Sequence, residues 1–498
     1  MGMAAVALIV WSYCGALDPM RVVPSDAVGV VRGTKLTWAW DRLGGEEGLL
    51  DMMERGLGER ELPDWPGPRG RTLDFLFPRL LGDRLVCYKG REGEEALATR
   101  VSPFLKLPIH LGLRFALEQE EEGAFRVGPR DRPQAFVALH GRCLLAAREK
   151  ASLLAAGDRL TSGSYDPHPA LALWERGEDS FQANVELFYE EEDESAPVTE
   201  AILCLLIDET CLYAGRLRLG KPFWPSLGKV STAEMELFEI YPSAGLLRFD
   251  VRGPVPLADC FRALGEQPWA SALAGTEIGR GYRGFQRNLG FSVQEDLFPL
   301  LSNEWTWVFH GFSCGPPLPI PSVSLGSRLS DPEGWTSFAD ELAARIEAGS
   351  HGVFRLLKEE KENGAQWKFV SEGTPSFQPV LTRSGEAVSL SFTEESRLDL
   401  EEAGSRRVVL PQGQPMKGDF AFLFQASPAD LAGLLGDTLE AMVAYELFPG
   451  LNREAFSEKW SPTLRWFGLV ELFHGTGVLD GRDALFNGAI RLDLEEAS

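Results

Sequence analysis

Gly311-Phe312-Ser313-Cys314-Gly315 has the GxSxG spacing of a serine nucleophile elbow, placed directly after an apolar run at 305–310. An elbow must turn straight into a helix, whose N-terminal amides help to stabilise the developing oxyanion. Here Pro316, Pro317, Pro319 and Pro321 follow, and prolines at that density hold the chain extended. Ser313 is therefore not expected to be catalytic. Gly279-Arg280-Gly281-Tyr282-Arg283-Gly284 fits the GxGxxG pattern, but the preceding residues 274–278 make a poor strand and no βαβ unit surrounds them. A turn is the expected reading. The acidic runs at 190–194 and at Glu401-Glu402 lie in polar surroundings, unlike a catalytic acid raised by an apolar pocket, and read as solvated faces.

The seven Cys form no CxxC pair, and the six His are scattered without metal-ligand spacing. No metal, cofactor or catalytic residue is expected. Most cysteines read as buried thiols, with Cys204 and Cys211 able to bridge a hairpin in an oxidising compartment. Trp305, Trp307 and Phe309 are the candidate ligand-binding residues. They alternate along a strand and so share one face, while Thr306, Val308 and His310 take the other. Such a face is most often packed under helices; the other reading is a groove for an apolar ligand or a protein partner.

The elements that position this strand occur twice. LFPRLLGDRLVCYKG at 76–90 returns 221 residues later as LFPLLSNEWTWVFHG at 297–311, pairing Tyr88 with Phe309. A strand with ValArgGly at 31–33 precedes the first copy, and ValArgGly at 251–253 precedes the second. Each is followed by a helical stripe, Leu36, Trp40 and Leu43 or Leu257, Phe261 and Leu264. Strand pairs with turns at His140-Gly141 and Ser384-Gly385 come next, and GRLRL at 215–219 mirrors GAIRL at 488–492. A helix is expected after Asp331, with Pro332 at its first position, an apolar side of Trp335, Phe338, Leu342 and Ile346, and a stop at Gly349. A second helix is expected from Ser427-Pro428. Tight Gly turns between neighbouring strands imply antiparallel pairing. The expected fold class is α+β, two tandem duplicated units, each a mostly antiparallel sheet covered by helices. The expected boundaries are 1–20 for an apolar N-terminal segment, 21–220 for the first unit, 221–236 for a linker and 237–498 for the second.

At 498 residues the chain exceeds one ordinary core, and 44% hydrophobic residues place it among globular proteins. A net charge of −24 without a basic patch argues against nucleic acid and anionic membrane surfaces as partners. The apolar run at 3–16 has the length of a signal-peptide core and is short for a transmembrane span. It is expected to be an export signal or a membrane tether.

Four features resemble the bacterial domain-of-unknown-function family 3352: ProSerAspAla at 24–27, AspLeuPheProLeuLeu at 296–301 leading into a strand, SerAspPro at 330–332 opening a helix, and the strand pair at 379–386. The resemblance covers most of the second unit and, more loosely, the first. It implies bacterial proteins that often carry an export or anchor segment and have no assigned activity; this chain departs in having no basic residue before its apolar start. The expected function is a non-enzymatic, envelope-associated binding or scaffold protein. The alternatives are a carrier of lipid or another apolar ligand in a groove between the units, and a hydrolase with a site formed between them.

Overall fold

The computed structural model describes residues 17–35, 84–162, 166–169, 184–220, 237–253, 287–313, 320–409, 420–444 and 463–492, apart from single residues and short stretches inside these ranges. The chain divides into two compact units, residues 1–221 with 494–498, and residues 222–493. The expected linker, the expected stripes at Leu36 to Leu43 and Leu257 to Leu264, and the apolar run at 3–16 lie outside the described residues. No described helix is long and apolar enough to cross a membrane.

Among the described residues the first unit has ten strands in chain order: β1 (Gly29–Thr34), β2 (Arg84–Lys89), β3 (Glu95–Arg100), β4 (Glu118–Gln119), β5 (Phe125–Val127), β6 (Ala135–His140), β7 (Cys143–Ala147), β8 (Val185–Glu190), β9 (Val198–Leu206) and β10 (Thr210–Leu219). Its described helices are α1 (Pro103–Ala116) and α2 (Lys150–Thr161). The strands lie in the order β10-β9-β8-β1-β2-β3-β7-β6-β5-β4. Helix α2 packs Leu153, Ala156 and Leu160 onto one face, against Val30, Val86, Ala98 and Leu145. Met20 and Val22, from the turn Pro19–Val22, are buried in the same cluster, and Leu17 packs against it.

The second unit repeats the pattern with β11 (Leu247–Arg252), β12 (Leu301–Ser313), β13 (Ile320–Leu329), β14 (Arg355–Lys361), β15 (Gly364–Val370), β16 (Val380–Ser384), β17 (Ala387–Ser391), β18 (Phe420–Ala426), β19 (Val470–Asp480) and β20 (Asp483–Leu492). Its strand order is β20-β19-β18-β11-β12-β13-β17-β16-β15-β14, position for position that of the first unit. Its described helices are α3 (Leu237–Ile240), α4 (Pro332–Gly349), α5 (Glu394–Glu401) and α6 (Pro428–Ala444). Helix α4 begins where the sequence places it, since the Asp331 carboxylate accepts from the Gly334 amide at 2.9 Å and caps the first turn.

The expectation of α+β units with helix-covered sheets is corrected here. Among the described residues twenty strands, every pairing antiparallel, dominate, and helices are few. The connectors explain it. Gly141-Arg142, Glu362-Asn363 and Gly385-Glu386 join strands by two residues, a length that allows only an antiparallel neighbour and no helical crossover. Gly141 and Gly385 adopt φ of 62° and 58°, the left-handed conformation such turns require.

The register also differs from the sequence match. Val31 lies opposite Cys87 and Leu187, as Phe249 lies opposite Trp307 and Phe424. Followed outward, the two rows reach Gly215 and Gly488 on one side and Ala146 and Leu390, five residues after the matched turn glycines, on the other. Cys87 therefore corresponds to Trp307, one residue out of phase with the 221-residue repeat. Tyr88 faces helix α2, and its counterpart is Val308, not Phe309.

Candidate functional site

Ser313 is the last residue of β12 and pairs with Ile320 across a hairpin, so its backbone has no elbow. The GxGxxG stretch at 279–284 lies outside the described residues. Glu190 and Glu402 are exposed. Trp305, Trp307 and Phe309 share one face of β12 as expected. Trp307 and Phe309 stack with ring centres 6.4 Å apart, and Trp305 meets Phe249 edge-on at 6.1 Å. Large groups fill one end of that face: Trp335, Ala339 and Ala343 of α4 cluster with Trp367, Leu381 and Val388, and Trp305 and Leu390 pack at the margin, while Leu325, opposite Trp307, stays 40% exposed.

The corresponding face of the first unit is different. Where the second unit has Phe249, Trp307 and Phe424, the first has Val31, Cys87 and Leu187, and Ala146 stands in for Leu390. Helix α1, in the chain position of α4, does not replace the missing bulk. None of its described apolar side chains joins the buried core, and Leu111 and Phe115 are 42% and 86% exposed. What results is an open apolar trough of about 630 Å³ along the middle strands of the sheet. Its floor is Val31, Cys87, Leu97 and Ala146, none fully buried. One end is polar, with Lys89, Glu95, Gln134 and Arg148 exposed and the Tyr189 hydroxyl donating to Glu191 at 2.6 Å.

That end is held from the opposite face. Arg159 of α2 pairs with Glu94 in the β2–β3 turn, donates to the Val22 carbonyl at 2.7 Å, and lies 5.2 Å from the Tyr88 ring centre. Tyr88 in turn donates to Glu94 at 2.6 Å. The turn that presents Lys89 and Glu95 is thereby fixed to helix and core together. Burial raises the Cys87 thiol, which disfavours the thiolate a nucleophile needs.

The second unit holds a buried polar spine on the face opposite its tryptophans. Arg248 and Asp250, both fully buried, form a two-pronged pair at 2.6 and 2.8 Å, and Arg248 also donates to the carbonyls of Tyr241 and Ser243. Beside them His310 Nε2 lies 3.1 Å from Ser324 Oγ, and His310 Nδ1 lies 3.8 Å from an Asp399 carboxylate oxygen. The residue types are those of a serine hydrolase triad. The geometry is not. Ser324 is 0% exposed, and its hydroxyl is engaged with Ser391 at 2.8 Å and the Ser396 carbonyl at 3.1 Å, so a substrate carbonyl has no approach to it. Sequence reasoning did not single out Arg248 and Asp250, although their alternation with Phe249 and Val251 puts both charges on one face.

Burial, with the charge of Arg248 adding to it, pushes His310 down to about 4 from 6.5. The unfolded chain therefore takes up this proton first. The contribution of neutral His310 is complete above about pH 6.5 and is lost as pH falls toward 4, about 3 kcal/mol in all. His140, His168 and His474 are lowered as well, also by burial, and add a slope of the same sign. Urea unfolding should show the native protein losing more stability between pH 7 and 4.5 than His310→Asn does. Equal losses would contradict this account.

Among the described residues no three His, Cys, Asp or Glu side chains converge as a metal site, and Cys204 stands opposite Ala214, not Cys211. Comparison with family models, with curated proteins and with solved structures gives no match to this chain.

Proposed function

We propose that the protein is a non-enzymatic binding protein whose first unit takes an apolar ligand in the trough over Val31, Cys87, Leu97 and Ala146. One observation carries the reading: at corresponding positions of the same strand order the second unit carries the rings of Phe249, Trp307 and Phe424, while the first keeps Val31, Cys87 and Leu187 and an open volume of about 630 Å³. That volume lies in the range of small-molecule sites, roughly 300–1,000 Å³. The engagement of Ser324 and the raised thiol of Cys87 support binding without chemistry. The apolar run at 3–16 supports placing such a carrier at the cell envelope.

Cys87→Trp tests the proposal, because it installs the residue that the second unit has at the corresponding position. The uncharged fluorophore N-phenyl-1-naphthylamine should bind the native protein and lose at least about tenfold in affinity in Cys87→Trp, as expected when a ring occupies the floor of a binding site. Ala146→Phe should act alike, and the unfolding midpoint shows whether either variant is folded. Undiminished binding in both folded variants would refute the trough as the site.

A further inference from the structure

We propose that the ligand is a single-chain amphiphile with an anionic head, lying with its chain over Cys87 and its head at the Lys89–Arg148 end; this rests on the reading of the trough given above. The polarity of the trough changes row by row along the strands. In the end row Tyr189, Gly29, Lys89 and Glu95 are successive cross-strand partners, and Arg148, which follows Ala147 opposite Ala96, comes next to Glu95. Two residues inward the row is apolar throughout: Leu187, Val31, Cys87, Leu97 and Ala146. A body laid along the strands thus has one wet, charged end and one dry end, the profile of an amphiphile.

The sign of the head follows from which charges are uncommitted. Lys89 and Arg148 are both exposed and have no side-chain ion pair or hydrogen bond among the described residues, in a chain whose net charge is −24. Across two strand spacings of about 4.8 Å their backbones stand roughly 10 Å apart, so two flexible side chains reach one head between them. Glu95 stands between the two and opposes an anion there. Its neighbour Glu94 is already neutralised by Arg159. Lys89, Glu95 and Arg148 sum to one positive charge, and Glu191, which accepts from the Tyr189 hydroxyl at the other side of the row, opposes an anion as well, so the preference is modest and Glu95→Gln should enlarge it.

Displacement of N-phenyl-1-naphthylamine by laurate, dodecyl phosphate and 1-dodecanol at pH 7.4, each below its aggregation concentration, tests the inference. Two exposed charge contacts, each contributing a few-fold, should let laurate or dodecyl phosphate displace the probe at about tenfold lower concentration than dodecanol. Whichever anion displaces better identifies the head as carboxylate or phosphate. Lys89→Met/Arg148→Met should bring the anion-to-alcohol ratio to about one while the fluorophore still binds, and Glu95→Gln should raise it about threefold. Equal potency of anion and alcohol in the native protein, or a ratio that the double variant leaves unchanged, would overturn the anionic head. Failure of the fluorophore to bind, by contrast, would remove the trough reading itself.

Discussion

Arg248→Met is expected to destabilise the second unit by about 3–5 kcal/mol, the cost of leaving one member of a buried ion pair without the other. Arg248 and Asp250 are both fully buried, and the guanidinium satisfies both carboxylate oxygens together with the carbonyls of Tyr241 and Ser243. Met fills much of the Arg volume but donates nothing, so a carboxylate and two carbonyls lose their partners at once. Arg248→Met/Asp250→Leu removes the orphaned charge and should recover a large part of the loss. Urea unfolding followed by tryptophan fluorescence reads the effect, since Trp305, Trp307, Trp335 and Trp367 all belong to this unit. A loss under about 1 kcal/mol would mean that water reaches the pair. The single variant should also let the His310 value rise, because the Arg248 charge is one of the two causes that depress it.

Gly245→Ala should cost about 3 kcal/mol, the sum of two separable effects. Gly245 has φ +55°, a conformation that costs an L side chain about 1 kcal/mol. A Cβ there would also stand 2.6 Å from Val308 Cγ1 and 2.7 Å from the Phe309 carbonyl oxygen, forcing apart the start of β11 and β12. Gly385→Ala isolates the first effect, since Gly385 has φ +58° with nothing within 4 Å of its built Cβ. It should cost only about 1 kcal/mol. If the two substitutions cost the same, the close approach at Gly245 is absorbed by movement of Val308, and the join between β11 and β12 is looser than described.

These elements differ in how far the sequence displays them. The Asp331-Pro332 helix start and the Gly141 and Gly385 turns are local chemistry, visible in a few residues each. The alternation of Trp305, Trp307 and Phe309 likewise placed them on one face. Strand order was not visible, because a two-residue turn shows that neighbours pair but not that β1 sits between β2 and β8. The repeat misled by one residue: identical Leu-Phe-Pro at 76–78 and 297–299 fixed a phase, while β12 carries register irregularities, including one between Phe309 and Gly311, that change which side chains share a face. The trough left no motif. It consists of Val31, Cys87 and Ala146 being smaller than the residues at the corresponding places of another sheet, a contrast legible only once the pairing registers are known. The helical cover of the sheets is over-read from sequence for a related reason, since amphipathic stripes such as that of α4 mark helices well, while short strands of two to five residues, such as β4, β5 and β7, leave weak patterns.

Photolabelling addresses the central claim most directly. A dodecanoic acid bearing a diazirine near its methyl end would be bound, irradiated and mapped by peptide mass spectrometry. Adducts are expected on peptides holding residues 29–34, 84–89, 95–100 and 143–147, with labelling suppressed by Cys87→Trp and by excess laurate. Adducts confined to residues 301–313 and 420–426, undiminished by Cys87→Trp, would contradict the account and place the ligand on the tryptophan face of the second unit.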